Sequence, residues 1–315
     1  MVGTTRSNSA PLVVAVVINW NRPQETRDCL RSLSGTSYLS LTILLVDNGS
    51  EDDSLESIRR EFPAVGLIRN PTNRGFGAAA NQGIARARDL GASYVFLLNN
   101  DATVAPDALE RLVDTADRRG TGAVSPLVLF PETEDRIWSA GARRNPLTLG
   151  NMDTRHRRRW RSSWPRILER DYLYGCALLL NLKALEVAGG FDERYFMYFE
   201  DMDLCLRLKA AGYALLLDSS ARAWHAGAAS SGGRGTSGER YWSARSSVLF
   251  FRKNARGVQW CGILPWRLFS TVRIMVCLLA AGRRDAAAAY WRGLRDGYSA
   301  TAAGFQAKKP DGPEV

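Results

Sequence analysis

Paired cysteines are missing from this chain. Its five cysteines, Cys29, Cys176, Cys205, Cys261 and Cys277, are odd in number, scattered, and never spaced Cys-x-x-Cys. Neither a disulfide framework nor a zinc-thiolate site is expected, and a reducing cytoplasm is the simplest setting. Histidine is scarce as well: His156 and His225 are the only two. The first eleven residues are polar and no apolar stretch precedes the first strand, so no leader peptide is expected. The apolar run at residues 274–281 is too short to cross a bilayer. Acidic residues are in deficit, 32 Asp and Glu against 42 Lys and Arg, for a net charge of +10. That balance favours anionic partners such as nucleotide phosphates or an acidic membrane surface. The excess is concentrated at residues 155–166 and after residue 234. No nucleic-acid-binding module accompanies it, so nucleic acid is not an expected partner.

The 315 residues are 45% hydrophobic and 23% charged, the profile of a folded chain with room for a sizeable core. Residues 12–18 form a nearly unbroken β-branched run, the mark of a strand buried on both faces. Further strands are expected at 41–46, 65–69, 94–98 and 123–130, with helices at 23–33, 52–61, 78–89 and 106–118. Strand and helix alternate, and each strand ends in polar residues. This predicts a parallel sheet wrapped by helices, with ligands at the carboxyl ends of the strands. The polar ends at Asp47, residues 73–75 and residues 99–101 should gather along one edge. Residues 131–170 lose periodicity and become basic and Trp-rich, an excursion over the cleft. Regular structure resumes at 172–182 and at 213–217. The Gly/Ser segment 226–238 has the composition of a lid, and 239–253 reads as a helix. Residues 256–303 form a helical extension, and 1–11 and 304–315 are tails. Its Trp and Arg residues suit an interfacial helical pair, with a packing helix or a homodimer surface as the alternative.

Three stretches carry chemistry. Within residues 191–207, the run at 195–199, four aromatics and a Met, leads into Glu200, Asp201 and Asp203 at a helix start. Carboxylates in a first helical turn are ordinary. The apolar approach through Phe196, Tyr198 and Phe199, however, would desolvate Asp201 and make it a general base near neutral pH. Asn99, Asn100 and Asp101 follow a buried strand, where one carboxylate can meet a divalent cation whose other ligands are water and phosphate. His225 ends a strand just before the Gly/Ser segment and is a second candidate ligand. Gly75-x-Gly77-x-x-Ala80 looks like a dinucleotide fingerprint, with Asp101 as its acid. It sits in the third strand–helix unit rather than the first, and no second feature suggests hydride chemistry.

The ordered set of motifs resembles the family 2 glycosyltransferases of the GT-A fold, especially their rhamnosyltransferase-like branch. The matching pieces are Val-Ile-Asn-Trp-Asn-Arg at 17–22, Val-Asp-Asn-Gly-Ser at 46–50, Asn-Arg-Gly-Phe-Gly at 73–77 with Asn81, and Leu-Asn-Asn-Asp at 98–101. Gly-Phe-Asp-Glu at 190–193, Phe-Glu-Asp-Met-Asp at 199–203 with Arg207, and His-Ala-Gly-Ala-Ala-Ser at 225–230 complete it. The resemblance implies an α/β GT-A domain over residues 12–255, with a mixed sheet flanked by helices. Residues 12–130 would form its nucleotide half and 131–255 its acceptor half. It implies an inverting, Mg2+- or Mn2+-dependent transfer from a nucleotide sugar to a glycan or lipid-linked acceptor. dTDP-rhamnose is the preferred donor, with UDP-galactofuranose and UDP-N-acetylhexosamine open. Asp47 would bind the base, with Asn19, Asn21, Asn73, Arg74 and Asn100 around the nucleotide. Asp101, Asn99 and His225 would hold the metal. Asp201 would be the base, with Glu200 supporting it or touching the sugar, and Trp224, Ser230 and Arg245 would belong to the lid and acceptor side. Many relatives have Asp-x-Asp where this chain has Asn99-Asn100-Asp101, which should weaken metal affinity. Two other classes stay open: a non-catalytic sugar-nucleotide binder and a nicotinamide-dependent oxidoreductase.

Overall fold

The computed structural model describes residues 10–51, 54–133, 135–227 and 235–299. Its first half alternates as expected: β1 (Val13–Asn19), α1 (Pro23–Ser34), β2 (Leu41–Asp47), α2 (Ser54–Glu61), β3 (Gly66–Arg69), α3 (Phe76–Asp89) and β4 (Tyr94–Asn99). β3, β2, β1 and β4 lie side by side and parallel. β1 is buried on both faces because α1 and α3 cover opposite sides of it. Val14 and Val16 face one core cluster, and Val13, Ala15 and Val17 face the other. α3 approaches β1 closely through Ala79, Ala80 and Gly83, and a Cβ at Gly83 would fall 2.5 Å from Val16 Cγ1.

Past β4 the chain adds β5 (Ala102–Val104), α4 (Ala108–Arg119), β6 (Ala123–Leu129), β7 (Ile137–Ser139), and a hairpin of β8 (Arg143–Arg144) and β9 (Asn151–Met152). Then come β10 (Ile167–Arg170), β11 (Ala177–Asn181), α5 (Leu182–Ala188), α6 (Glu200–Ala210) and β12 (Leu215–His225). β11 runs antiparallel between β4 and β6, so one mixed sheet crosses the whole of residues 13–225 in the order β10-β12-β6-β11-β4-β1-β2-β3. The expected strand at 213–217 is the start of β12, which continues for eleven residues. A bulge between Asp218 and Arg222 lets it resume pairing with β6 and reach β5. The polar Asp218-Ser219-Ser220 stretch hid that continuation.

The C-terminal region is helical: α7 (Ser237–Asn254), α8 (Gln259–Ala280) and α9 (Arg284–Ser299). α7 joins the main core through Phe250 and Phe251 and receives α9 against Ala244 and Val248. α8 corrects the expectation of a run too short to span. Its 22 residues form one helix long and apolar enough to cross a membrane by length and composition. Pro265, Arg267 and Arg273 interrupt the apolar run in sequence without ending the helix. Residues 228–234, which include Ser230 and most of the expected lid, lie outside the described residues.

Candidate active site

Parallel register sets the site. Asn19 pairs with Asp47, and Ile18 with Asn99, so the carboxyl ends of β1, β2 and β4 reach one edge together. Asn19 Nδ2 donates to Asp47 Oδ1 at 3.0 Å, and Asn19 Oδ1 accepts from Thr26 Oγ1 at 2.8 Å. Asn100 Nδ2 donates to the same threonine oxygen at 3.1 Å. Asp47 is fully buried, and its Oδ1 also accepts from Ser50 Oγ at 2.5 Å. Its carboxylate therefore braces the loop after β2 from within. Asn48, which the sequence reading passed over, is the hub of that edge. Its Oδ1 accepts from Asn70 Nδ2 at 3.0 Å and from the Arg74 N–H at 3.1 Å, and its Nδ2 donates to Asn73 Oδ1 at 2.9 Å. Arg74 points its side chain to solvent, and Asn21 sits at the rim in a left-handed turn with φ of 51°.

These ends open on a cleft of about 420 Å³ lined by Trp20, Asn73, Asn99, Asp101, Trp138, Asp201 and their neighbours. Antiparallel pairing of β5 with β12 sets His225 opposite Ala102, next to Asp101. His225 Nε2 lies 2.9 Å from Asp101 Oδ1 and 3.3 Å from Asn99 Nδ2, with both side chains of the His–Asp pair buried. Two ligands at right angles about 2.1 Å from a divalent ion stand about 3 Å apart, the spacing seen here. The described residues contain no cluster of three or more His, Cys, Asp or Glu that would cage an ion. The pair fits a cation that completes its shell with water and substrate phosphates. Trp138 packs edge-to-face on the imidazole, with centroids 4.3 Å apart. The basic excursion thus does reach the cleft.

The base candidate faces the same space. Asp201 Oδ2 accepts from Tyr172 Oη at 2.8 Å and from the Gly175 N–H at 3.0 Å, and Oδ1 accepts from the Met202 N–H at 2.8 Å. Burial pushes the Asp201 pKa upward, and these three donors oppose it by holding the charged form. Glu200 has the other fate. Burial, and then the neighbouring Asp201 charge, push it well above the carboxylate range, and its Oε2 is buried with no hydrogen-bond partner among the described residues. The environments separate the two acids: burial with no partner drives Glu200 furthest toward its neutral form, whereas three donors favour the charged form of Asp201.

The loop before these acids is strained and clamped. Tyr198 and Phe199 both sit at φ of 68°, a conformation that costs a side-chain-bearing residue roughly 1–2 kcal/mol. It persists because neighbours fix it. Phe196 stacks on Trp242 at 4.2 Å, Ser246 Oγ donates to the Met197 carbonyl at 2.8 Å, and Phe76 N–H donates to the Phe196 carbonyl at 2.9 Å. Arg245 belongs to this clamp rather than to the cleft lining: it is buried and donates to the Arg194 carbonyl at 3.1 Å. Trp224 is also displaced from its expected place. Alternation along β12 turns it away from His225 to pack with Leu127, Leu129 and Leu217. Asp203 is structural: fully buried, it accepts from Arg207 Nε at 2.8 Å and pairs with Lys253 at 2.8 Å.

A mixed α/β sheet with the Asp101–His225 pair and Asp201 in a cleft at its carboxyl edge fits a GT-A architecture, and comparison with known proteins agrees. The sequence model of Glycosyl transferase family 2 matches residues 14–174, and the chain belongs to that family. It is 30% identical over 259 residues to an N-acetylglucosaminyl-diphospho-decaprenol L-rhamnosyltransferase of Mycobacterium tuberculosis, across 76% of this chain and 83% of that one. Among solved structures it resembles the mannosyltransferase PcManGT of Pyrobaculum calidifontis, in complex with GDP-Man and Mn2+. That match has a TM-score of 0.58 and 19% identity, over 94% of this chain and 77% of that one. GalNAc-T7 with UDP, GalNAc and Mn2+ matches with the same TM-score and 15% identity, over 78% of this chain and half of that one. At those identities the structures establish the GT-A fold alone.

Proposed function

We propose that this chain transfers a sugar, L-rhamnose from dTDP-rhamnose by preference, to a hydroxyl of a glycan or lipid-linked acceptor, with inversion. One observation carries the reading: a carboxylate that accepts three hydrogen bonds, Asp201, shares one cleft with the Asp101–His225 pair. Asp201 takes the proton of the acceptor hydroxyl as its oxygen attacks the anomeric carbon. The bond from that carbon to the diphosphate oxygen breaks through an oxocarbenium-like state. A single base with no covalent nucleophile gives direct displacement. Asp101 and His225, with Asn99 beside them, would hold Mg2+ or Mn2+, which when bound supplies charge stabilisation to the leaving diphosphate. Asn19, Asp47 and Asn48 hold the shape of the nucleotide edge, and Trp20 and Trp138 wall the cleft. The rhamnosyl donor is supported by the relative named for L-rhamnosyl transfer. The unpaired cysteines suit a cytoplasmic setting.

The test is release of nucleoside diphosphate from dTDP-rhamnose, UDP-galactofuranose and UDP-N-acetylglucosamine, each with Mn2+ or Mg2+ and a polyprenyl-diphosphate-sugar acceptor. The expected result is metal-dependent release of dTDP, abolished in Asp201→Asn with dTDP binding retained. Release from a UDP sugar alone would replace the donor. Binding without turnover of any donor would overturn the transferase reading, and NAD binding indifferent to metal would restore the Gly75 fingerprint.

A further inference from the structure

α8 is built inside out. Leu264, Leu268, Phe269, Val272, Val276 and Leu279 recur at helical spacing and are each more than half exposed. Its opposite flank is tied to the protein along its length. Ile263 is fully buried and Trp260 packs on the main core, while Ile274, Met275 and Leu278 meet the start of α9. Arg267 lies over the Phe251 ring at 4.8 Å, and Arg273 sits at the edge of the exposed stripe. A helix held on one side by protein and apolar on the other has the form of an in-plane helix rather than a spanning one. Charge names the occupant. Residues 256–299 contain seven arginines and two aspartates, with no lysine or glutamate. A second copy of this chain would set those arginines against one another, whereas an anionic bilayer complements them.

We propose that the exposed face of α8 docks in the plane of an anionic membrane surface. At about 1.5 Å per residue the exposed stripe from Leu264 to Leu279 lays an apolar strip roughly 24 Å long on the bilayer. Docking also orients the cleft. A Cβ placed on Gly235 would meet the guanidinium of Arg283, so the end of α8 lies against the start of α7. Glu239 and Ser243 of α7 line the cleft. The membrane surface therefore meets the protein at the rim through which an acceptor carried on a lipid would enter. That orientation rests on the transferase reading above, whereas the docking surface does not.

The test uses the full chain in co-sedimentation with vesicles of phosphatidylcholine alone or mixed with phosphatidylglycerol. Binding to the mixed vesicles is expected, weakened by salt and stripped by alkaline carbonate. The double variant Leu268→Glu, Val272→Glu should weaken it by more than about tenfold. Arg283→Ala with Arg284→Ala should weaken binding to the mixed vesicles selectively. Thermal unfolding and dTDP binding of each variant report that the fold is intact. Failure to bind mixed vesicles would overturn the proposal. So would resistance to carbonate, the mark of a spanning helix, or a dimer in sedimentation velocity that Leu268→Glu dissolves. dTDP release with a water-soluble acceptor separates the two readings: if it fails while vesicle binding stands, only the transferase reading falls.

Discussion

Tyr172→Phe tests the base assignment through a single hydrogen bond. The phenol donates to Asp201 Oδ2 at 2.8 Å, and burial together with the Asp201 charge keeps the phenol protonated far above neutrality. A hydrogen bond to a charged group is worth about 1.5–3 kcal/mol. Each pKa unit corresponds to about 1.36 kcal/mol. Removing this donor while Gly175 and Met202 still donate should raise the Asp201 pKa by about one to two units. The sign follows from the role: the base must be deprotonated, so the acidic limb of kcat/KM moves up in pH by that amount. Below both limbs the variant should be about 10–100-fold slower, and above both it should match the parent. The assay is dTDP release across pH, with dTDP affinity as a check on the nucleotide edge. A limb that stays in place in a folded variant, or a loss equal at every pH, would refute the argument that Tyr172 acts by holding the carboxylate charge.

Four further outcomes are expected. His225→Ala should raise the Mn2+ concentration for half-maximal activity by at least about tenfold. Asp101→Ala should cost about a hundredfold or more even in saturating metal; unchanged metal titrations would remove the pair from the site. Gly75→Ala adds a Cβ at φ of 83° that would lie 2.9 Å from Phe196 Cα, so about 2–4 kcal/mol of lost stability in urea unfolding is expected. Full stability would show that the loop before Glu200 yields easily. Glu200→Gln concerns pH and stability. A carboxyl whose folded pKa is raised contributes stability fully present below its ordinary value of 4.5 and lost as pH rises toward the folded value. The glutamine variant should therefore unfold at a higher temperature than the parent at pH 8 and match it near pH 4; an equal gain at both would contradict the buried neutral acid.

The sheet was legible because β1, β2 and β4 are buried on both faces and advertise it with unbroken apolar runs. Their polar ends were legible for the complementary reason, since side chains at a carboxyl edge need not be apolar. Asp101, His225 and Asp201 could be picked out one at a time, yet their meeting in one cleft depends on the β5–β12 pairing and on β12 crossing a polar bulge. Nothing local in sequence announces that pairing. Tyr172 and Gly175 were invisible as partners of Asp201, because the contacts join positions 29 and 26 residues apart. Arg245 and Trp224 misled for opposite reasons. Arg245 was expected on the lid and acceptor side, but it is buried, donating to the Arg194 carbonyl and lying over the Trp242 ring. An aromatic beside His225 suggests the same surface, but strand alternation turns it to the other face.

The acids at residues 200–203 show how one short stretch is divided by its surroundings. Asp203 faces inward to Arg207, Lys253 and Asn254, and Arg207 also donates to the carbonyls of Ala188, Gly189 and Gly190. It ties α6 to α5 and α7 and has no surface left for substrate. Glu200, one turn earlier, is buried without such partners and is pushed toward its neutral form. Asp201, between them, receives backbone and phenol donors that favour its charged form at the cleft. The strained turn at Tyr198 and Phe199 sets which acid faces which environment. α7 holds that turn through Trp242, Arg245 and Ser246, and α9 in turn packs on α7. The helices that carry the exposed apolar stripe and the loop that leads to Asp201 are thus parts of one packed unit, which gives the C-terminal region a part in placing Asp201 whatever surface it rests on.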